Sequence, residues 1–215
     1  MSGALIVSGT DTGIGKTVVA AGLAAALGAS YWKPIQAGTA DGTDSSDAVT
    51  LGVAPGQCLP EAYRLALPAS PHLAAEREGL VLDPSRLTLP PARPLIVEGA
   101  GGLMVPVRRD PSMLMIDLFA GWGAPVLLVA RTGLGTINHS LLSIEALKAR
   151  SIAIAGLIFV GEVHPDNEAI VPALTGVRSF GRLPMLDPLD AAHLRQAMHA
   201  HIDLAAVRMA LGGPS

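Results

Sequence analysis

Cysteine is almost missing from this chain: Cys58 is alone among 215 residues. No internal disulfide can form, no cysteine cluster can hold zinc, and Cys58 reads as a small semi-buried thiol. Aromatic residues are scarce too, at two tryptophans, two tyrosines and three phenylalanines, although half of the residues are hydrophobic. The core must therefore be built from Ala, Val, Leu, Ile and Met, the palette of parallel sheets buried on both faces. An excess of basic residues is also absent. Fifteen Lys and Arg face eighteen Asp and Glu, for a net charge of −3. That argues against a general nucleic-acid or membrane-surface binder, since both need a basic face. Long apolar runs are missing as well. Ile152 to Val160, the longest away from the N-terminus, is about half of a membrane span of ~20 residues. The N-terminal apolar run has no basic region before it and is too short for a signal peptide. The expectation is a cytoplasmic protein with neither nucleic acid nor membrane as partner.

What is present alternates strand-like and helix-like segments. Ala4–Ser8, Ser30–Lys33, Pro94–Glu98, Pro125–Ala130 and Ile152–Val160 read as strands. Lys16–Leu27, Asp44–Leu51, Ser70-Pro71 through Glu78, and Thr136–Arg150 read as helical, and Asp190–Leu211 as one closing helix with Leu194, Met198, Ile202 and Ala205 on a single face. Strands separated by helices predict right-handed crossovers and an α/β fold in three layers, a mostly parallel central sheet covered by helices on both faces. No repeat or linker interrupts it, so residues 1–215 are expected to form a single domain.

The run Gly9-Thr10-Asp11-Thr12-Gly13-Ile14-Gly15-Lys16-Thr17 directly follows the first apolar strand. A buried strand, a glycine-rich turn and then a helix is the layout of a phosphate-binding loop, and it predicts a P-loop fold. Backbone N–H groups of the turn point inward, and the helix adds the positive end of its dipole. Lys16 would reach the terminal phosphates and the Thr17 hydroxyl would coordinate Mg²⁺. Five residues separate Gly9 from Gly15, one more than the usual spacing, and Thr10 stands where the first glycine is expected.

In such sheets ligands lie beyond the carboxyl ends of the strands. Four strand exits are rich in polar residues and glycine: the loop itself, Lys33 to Gly38, Glu98 to Gly102, and Arg131 to His139. The pattern places all four on one sheet edge as one site. Glu98 is either a second carboxylate for Mg²⁺ or a cap on a neighbouring helix. Lys33 either neutralises a transferred phosphoryl or an anionic substrate, or is a solvated lysine. In Asp44-Ser45-Ser46-Asp47, Asp47 either holds Mg²⁺ or caps a helix. The histidines lack metal-ligand spacing; His139, His193, His199 and His201 read as solvated.

Gly-Thr-Asp-Thr-x-x-Gly-Lys-Thr, Lys33-Pro34-Ile35-Gln36-x-Gly38, Ser46-Asp47-Ala48, Ser70-Pro71-His72, Val97 to Gly102 and Leu134 to His139 occur here in the order found in the dethiobiotin synthetase family, which the chain resembles from residue 5 to about 186. The resemblance implies a ligase of biotin biosynthesis that converts 7,8-diaminopelargonate, CO₂ (or bicarbonate) and ATP to dethiobiotin, with Mg²⁺ required. It implies that Gly13, Ile14, Gly15, Lys16, Thr17 and Val18 hold the nucleotide, with Asp47, Glu98, Gly99, Ala100 and Gly101. It also implies that Thr17, Asp47 and Glu98 organise Mg²⁺ and that Lys33, Lys16 and Thr12 serve the chemistry. Thr12, Lys33, Ala37, Thr136 and Asn138 would meet the substrate, the last two from the partner subunit of a homodimer. Pro184, Met185 and Leu186 match the loop that flanks the base.

Three departures from the family pattern stand out. Gly13 replaces a residue that is acidic in some relatives, and Ala37 stands where Ser or Thr commonly contacts substrate. The strand ending Phe159-Val160-Gly161 lacks the Asn that reads adenine in some members, which leaves other nucleoside triphosphates open beside ATP. Two other readings fit the same fold. Partition-type ATPases carry a signature lysine five residues before the loop lysine, where this chain has Asp11. A related amidoligase acting on another carboxylate usually adds a glutaminase domain with a nucleophilic cysteine, which this chain does not show.

Overall fold

The computed structural model describes residues 3–39 and 46–212. The first strand, β1 (Ala4–Gly9), runs through the loop into α1 (Lys16–Leu27). Then come β2 (Ser30–Trp32), β3 (Ile35–Ala37), α2 (Ser46–Thr50), β4 (Cys58–Leu59), β5 (Tyr63–Leu65) and α3 (Pro71–Arg77). A long β6 (Leu95–Gly102) follows, then a small hairpin of β7 (Pro106–Arg108) and β8 (Met113–Leu114), and α4 (Met115–Trp122). The last third holds β9 (Val126–Arg131), α5 (Thr136–Ala149), β10 (Ile154–Val160), α6 (Pro165–Thr175), β11 (Ser179–Leu183), α7 (Ala191–His201) and α8 (Leu204–Ala210).

Seven strands form the main sheet in the order β11-β10-β9-β1-β6-β2-β4, and every pairing in it is parallel. Because side chains alternate along a strand, each strand feeds two apolar layers. On one face Ala4, Ile6, Leu95, Val97, Val126 and Leu128 pack with Ala74 of α3, Phe119 of α4, Ile144 of α5 and Val171 of α6. On the other, Leu5, Val7, Ile96, Leu127 and Val129 pack with Leu23 of α1, Ala48 of α2, Met198 of α7 and Val207 of α8. These are the three layers expected. β1 and β9 are neighbours, yet their following helices cover opposite faces. The sheet therefore opens a crevice between their ends, the place where such folds bind ligands. No described helix is long and apolar enough to cross a membrane.

The expected closing helix over Asp190–Leu211 is two helices. Ile202 leaves the helical region with φ −117 and ψ 133 and forms an antiparallel bridge to Gly181. The Asp203 backbone N–H donates to the Phe180 carbonyl at 2.8 Å, while the Asp203 carboxylate accepts from the Ala206 N–H at 3.0 Å and starts α8. Apolar period alone could not reveal this break, because Ile202 is buried in either geometry. Gly181 has φ +119, and a Cβ there would collide with the His201 carbonyl oxygen. Only glycine lets the chain pass at that point.

Candidate active site

The loop after β1 is an anion cradle without a tenant of its own. Gly15 caps α1 in the left-handed conformation at φ 93, no side chain caps the helix, and its first turn holds no acidic residue. The open N–H groups and the helix dipole therefore face outward to a ligand. The Lys16 Nζ folds back and donates to the Asp11 carbonyl at 2.8 Å. Burial holds the Lys16 ammonium below its ordinary value of 10.5, the nearby Lys33 charge adds to that effect, and the Glu98 and Asp11 charges oppose it.

Glu98 is the hub of the site. Ile96 and Glu98 are two apart on β6, so both face the α1 side of the sheet. The carboxylate is 2% exposed. Its Oε1 accepts from the Thr17 hydroxyl at 2.8 Å and pairs with the Lys33 Nζ at 3.0 Å. Its Oε2 accepts from the Tyr31 hydroxyl at 2.5 Å. All these partners are side chains and none is a helix N–H, so Glu98 does not act as a helix cap. Lys33 is paired and mostly buried, not solvated.

A cavity of about 690 Å³ opens over these groups. Its floor is the loop from Thr12 to Val18; its walls are Lys33, Ile35 and Ala37, then Pro68 to Pro71, then Glu98 to Gly101 with Val105. Three of the four strand exits thus meet. The fourth, after β9, brings only Arg131 to an adjoining cavity of about 270 Å³ that shares Gly13, Ile14, Gly15 and Val18 and is otherwise lined by Val160, Leu183, Pro184, Met185, Leu186 and Leu189. Two adjoining cavities that share the loop thus hold groups from all four exits. Arg131 Nη2 pairs with Asp11 Oδ2 at 3.1 Å, which ties the loop to β9 across the crevice. A third hollow of about 320 Å³ continues from Thr12 and Val105 to Met104, Leu142 and Ser143.

The remaining sequence-derived residues lie outside the first two cavities. Asp47 is exposed in the first turn of α2; its charge adds to the upward pull on the Tyr31 hydroxyl, after burial and Glu98. Asp44 and Ser45 lie outside the described residues. Thr136 and Asn138 stand at the start of α5. Thr136 is buried, and its hydroxyl has no hydrogen-bond partner among the described residues; Asn138 is exposed. Among the described residues no three His, Cys, Asp or Glu side chains cluster. Thr17 and Glu98 instead offer hard oxygen donors beside the phosphate cradle. That set suits Mg²⁺, which takes one or two carboxylates and completes its shell with phosphates and water. Reading the sequence missed Tyr31, taken only as part of a strand. It stands two residues before Lys33, on the same strand face, in a chain with two tyrosines. That spacing was the available signal.

Known proteins align with this geometry over almost its whole length. A family model described as an AAA domain matches residues 3–193. An ATP-dependent dethiobiotin synthetase BioD of Novosphingobium aromaticivorans is 56% identical over 195 residues, covering 90% of this chain and 94% of that protein. The chain belongs to the dethiobiotin synthetase family. Another synthetase of that name, from Brucella anthropi, is 52% identical and spans 95% of this chain and 96% of its own. Among solved structures, a ParA family ATPase from Chlorobium tepidum TLS matches with a TM-score of 0.56 at 12% identity, covering 97% of each chain. The MinD cell division protein of Aquifex aeolicus matches at 0.55 and 12%, covering 99% of this chain and 98% of its own. At such identities the likeness is one of fold. The synthetase relatives separate this chain from the partition-type ATPases that share its architecture.

Proposed function

We propose that this chain is an ATP- and Mg²⁺-dependent ligase that closes 7,8-diaminopelargonate and CO₂ into dethiobiotin, working in the cytoplasm as a homodimer of one-domain subunits. The observation that carries the reading is the juxtaposition of a phosphate cradle with the Lys33–Glu98–Thr17 cluster under one cavity. One substrate amine takes up CO₂ and releases a proton to give a carbamate. A carbamate oxygen attacks the γ-phosphorus, and ADP leaves. The second amine then attacks the carbonyl carbon of the mixed anhydride, and phosphate departs, taking up the proton that this amine loses, as the cyclic urea closes.

Each stage brings anionic oxygen to anionic phosphate, so positioning and fixed positive charge supply most of the help. Lys16 would leave the Asp11 carbonyl for the β- and γ-phosphates. Lys33, beside Glu98, would serve the carbamate and the γ-phosphoryl, with Thr12 next to the carbamate. Thr17, Glu98 and Asp47 would hold Mg²⁺, which when bound would offset negative charge on the phosphates. Gly99, Ala100 and Gly101 would border the nucleotide, and Pro184, Met185 and Leu186 its base. Ala37 lines the substrate side without a hydroxyl to donate. Thr136 and Asn138 would meet the substrate's carboxylate end from the partner subunit, where the N-terminus of α5 favours an anion.

The test is phosphate release from ATP with Mg²⁺ and bicarbonate. Release that requires the diamine and matches dethiobiotin formation supports the reading. Slow release indifferent to the diamine contradicts it.

A further inference from the structure

Tyr31 is a buried titratable group that the proposed chemistry leaves unused. It lies on β2 between β6 and β4, with Ile96 opposite it on β6. Its side chain is 0% exposed. Tyr31 and Ile96 face the same layer as Leu5 and Val7, and Glu98 is two residues beyond Ile96. The tyrosine hydroxyl therefore reaches diagonally along one face to the Glu98 Oε2 at 2.5 Å. Across the carboxylate, Oε1 carries Thr17 at 2.8 Å and Lys33 at 3.0 Å. One oxygen is thus tethered from the core, and the other is presented to the cavity.

We infer that Tyr31 is a positioning residue that fixes the Glu98 carboxylate so that Oε1 faces the metal–phosphate side of the site. The inference rests on the proposed role of Glu98 toward Mg²⁺. Two features carry it. A carboxylate in the core needs its lone pairs filled, and among the described residues Tyr31 is the one partner of Oε2. A ring held between strands loses little freedom in keeping that bond, unlike the long lysine chain on the other oxygen. Groups that orient a metal-binding carboxylate in this way commonly change metal affinity by about 10–100-fold when removed.

The experiment is calorimetric binding of ADP to the full chain with and without Mg²⁺, on the wild type, Tyr31→Phe and Glu98→Gln. Turnover is followed against Mg²⁺ concentration in parallel. Tyr31→Phe removes only the hydroxyl. It is expected to cut the Mg²⁺-dependent gain in ADP affinity about tenfold, to leave Mg²⁺-free ADP binding as it was, and to raise the Mg²⁺ needed for half-maximal turnover. Equal weakening with and without Mg²⁺ would assign Tyr31 to the scaffold alone and overturn the proposal. A loss of the Mg²⁺ effect in Glu98→Gln but not in Tyr31→Phe also overturns it, while leaving the role of Glu98 intact. If Glu98→Gln keeps the effect, the metal reading of Glu98 falls first and this inference falls with it. Should Tyr31→Phe not fold, 4-fluorophenylalanine placed at position 31 fills the space of the hydroxyl without supplying a donor; an unchanged Mg²⁺ effect with that residue again overturns the proposal.

Discussion

Lys33 pairs with the Glu98 carboxylate whereas Lys16 donates to the Asp11 carbonyl, and these different surroundings set their expected behaviour. Lys33→Ala leaves Glu98 with its Thr17 and Tyr31 donors, so the variant is expected to fold. Turnover should fall by at least about 10²–10³-fold, as when one preorganised electrostatic group is removed. Lys16→Ala should do the same. Near-normal steady-state rates in either folded variant contradict its assigned role. Lys16 also makes a pH prediction. Its folded-state value lies below the ordinary 10.5 because of burial. Between that lowered value and 10.5 the unfolded chain binds more protons, so this group makes stability rise with pH across the window. A bound triphosphate favours the charged ammonium and reverses the effect. Nucleotide binding in that alkaline window is therefore expected to take up protons, which calorimetry in buffers of different ionisation enthalpy measures. Uptake of none would mean that the Lys16 charge does not meet the phosphates.

The elements differ in how plainly they were written in the sequence. The helix over Lys16–Leu27 and the strands around Ile6 and Leu128 were legible because each is apolar over its length and bounded by glycine or a polar exit. Strand β11 was not legible, since Ser179, Gly181 and Arg182 leave only two apolar residues in it and it pairs only at the sheet's edge. Helix α6 was hidden by Pro165 and Pro172. The break between α7 and α8 was invisible because the bond that makes it comes from Phe180, distant in sequence. That junction can be tested. Gly181→Ala forces a Cβ toward the His201 carbonyl at a positive φ and should cost about 2–4 kcal/mol in urea unfolding. Asp203→Ala removes the α8 cap and should cost about 1 kcal/mol. A Gly181→Ala variant as stable as the wild type would mean that the strand–helix crossing is looser than described.

At the scale of the molecule, the seven-stranded order places β1 and β9 side by side with their helices on opposite faces. This is what turns separate exits into adjoining cavities. It also leaves Leu142 at 57% and Met104 at 53% exposed, both along the hollow that continues from the site. The proposed homodimer gives these side chains a cover. Leu142→Glu is expected to shift sedimentation from dimer toward monomer and to raise KM for the diamine more than KM for ATP. A wild-type chain sedimenting at its own 22.0 kDa would overturn the dimer.

By itself the sequence determined the alternating α/β architecture, the phosphate cradle and the identity of the charged residues at the strand ends. Each of these follows from local pattern: apolar runs, glycine spacing, and a lysine at a helix start. Only the tertiary structure decided which exits share a cavity, that Glu98 binds side chains and not a helix end, and that Tyr31 completes it. The reason is that the partners of this carboxylate stand on α1 and at the end of β2, far in sequence from Glu98 on β6, and only the order and register of the sheet bring Thr17, Tyr31 and Lys33 around it.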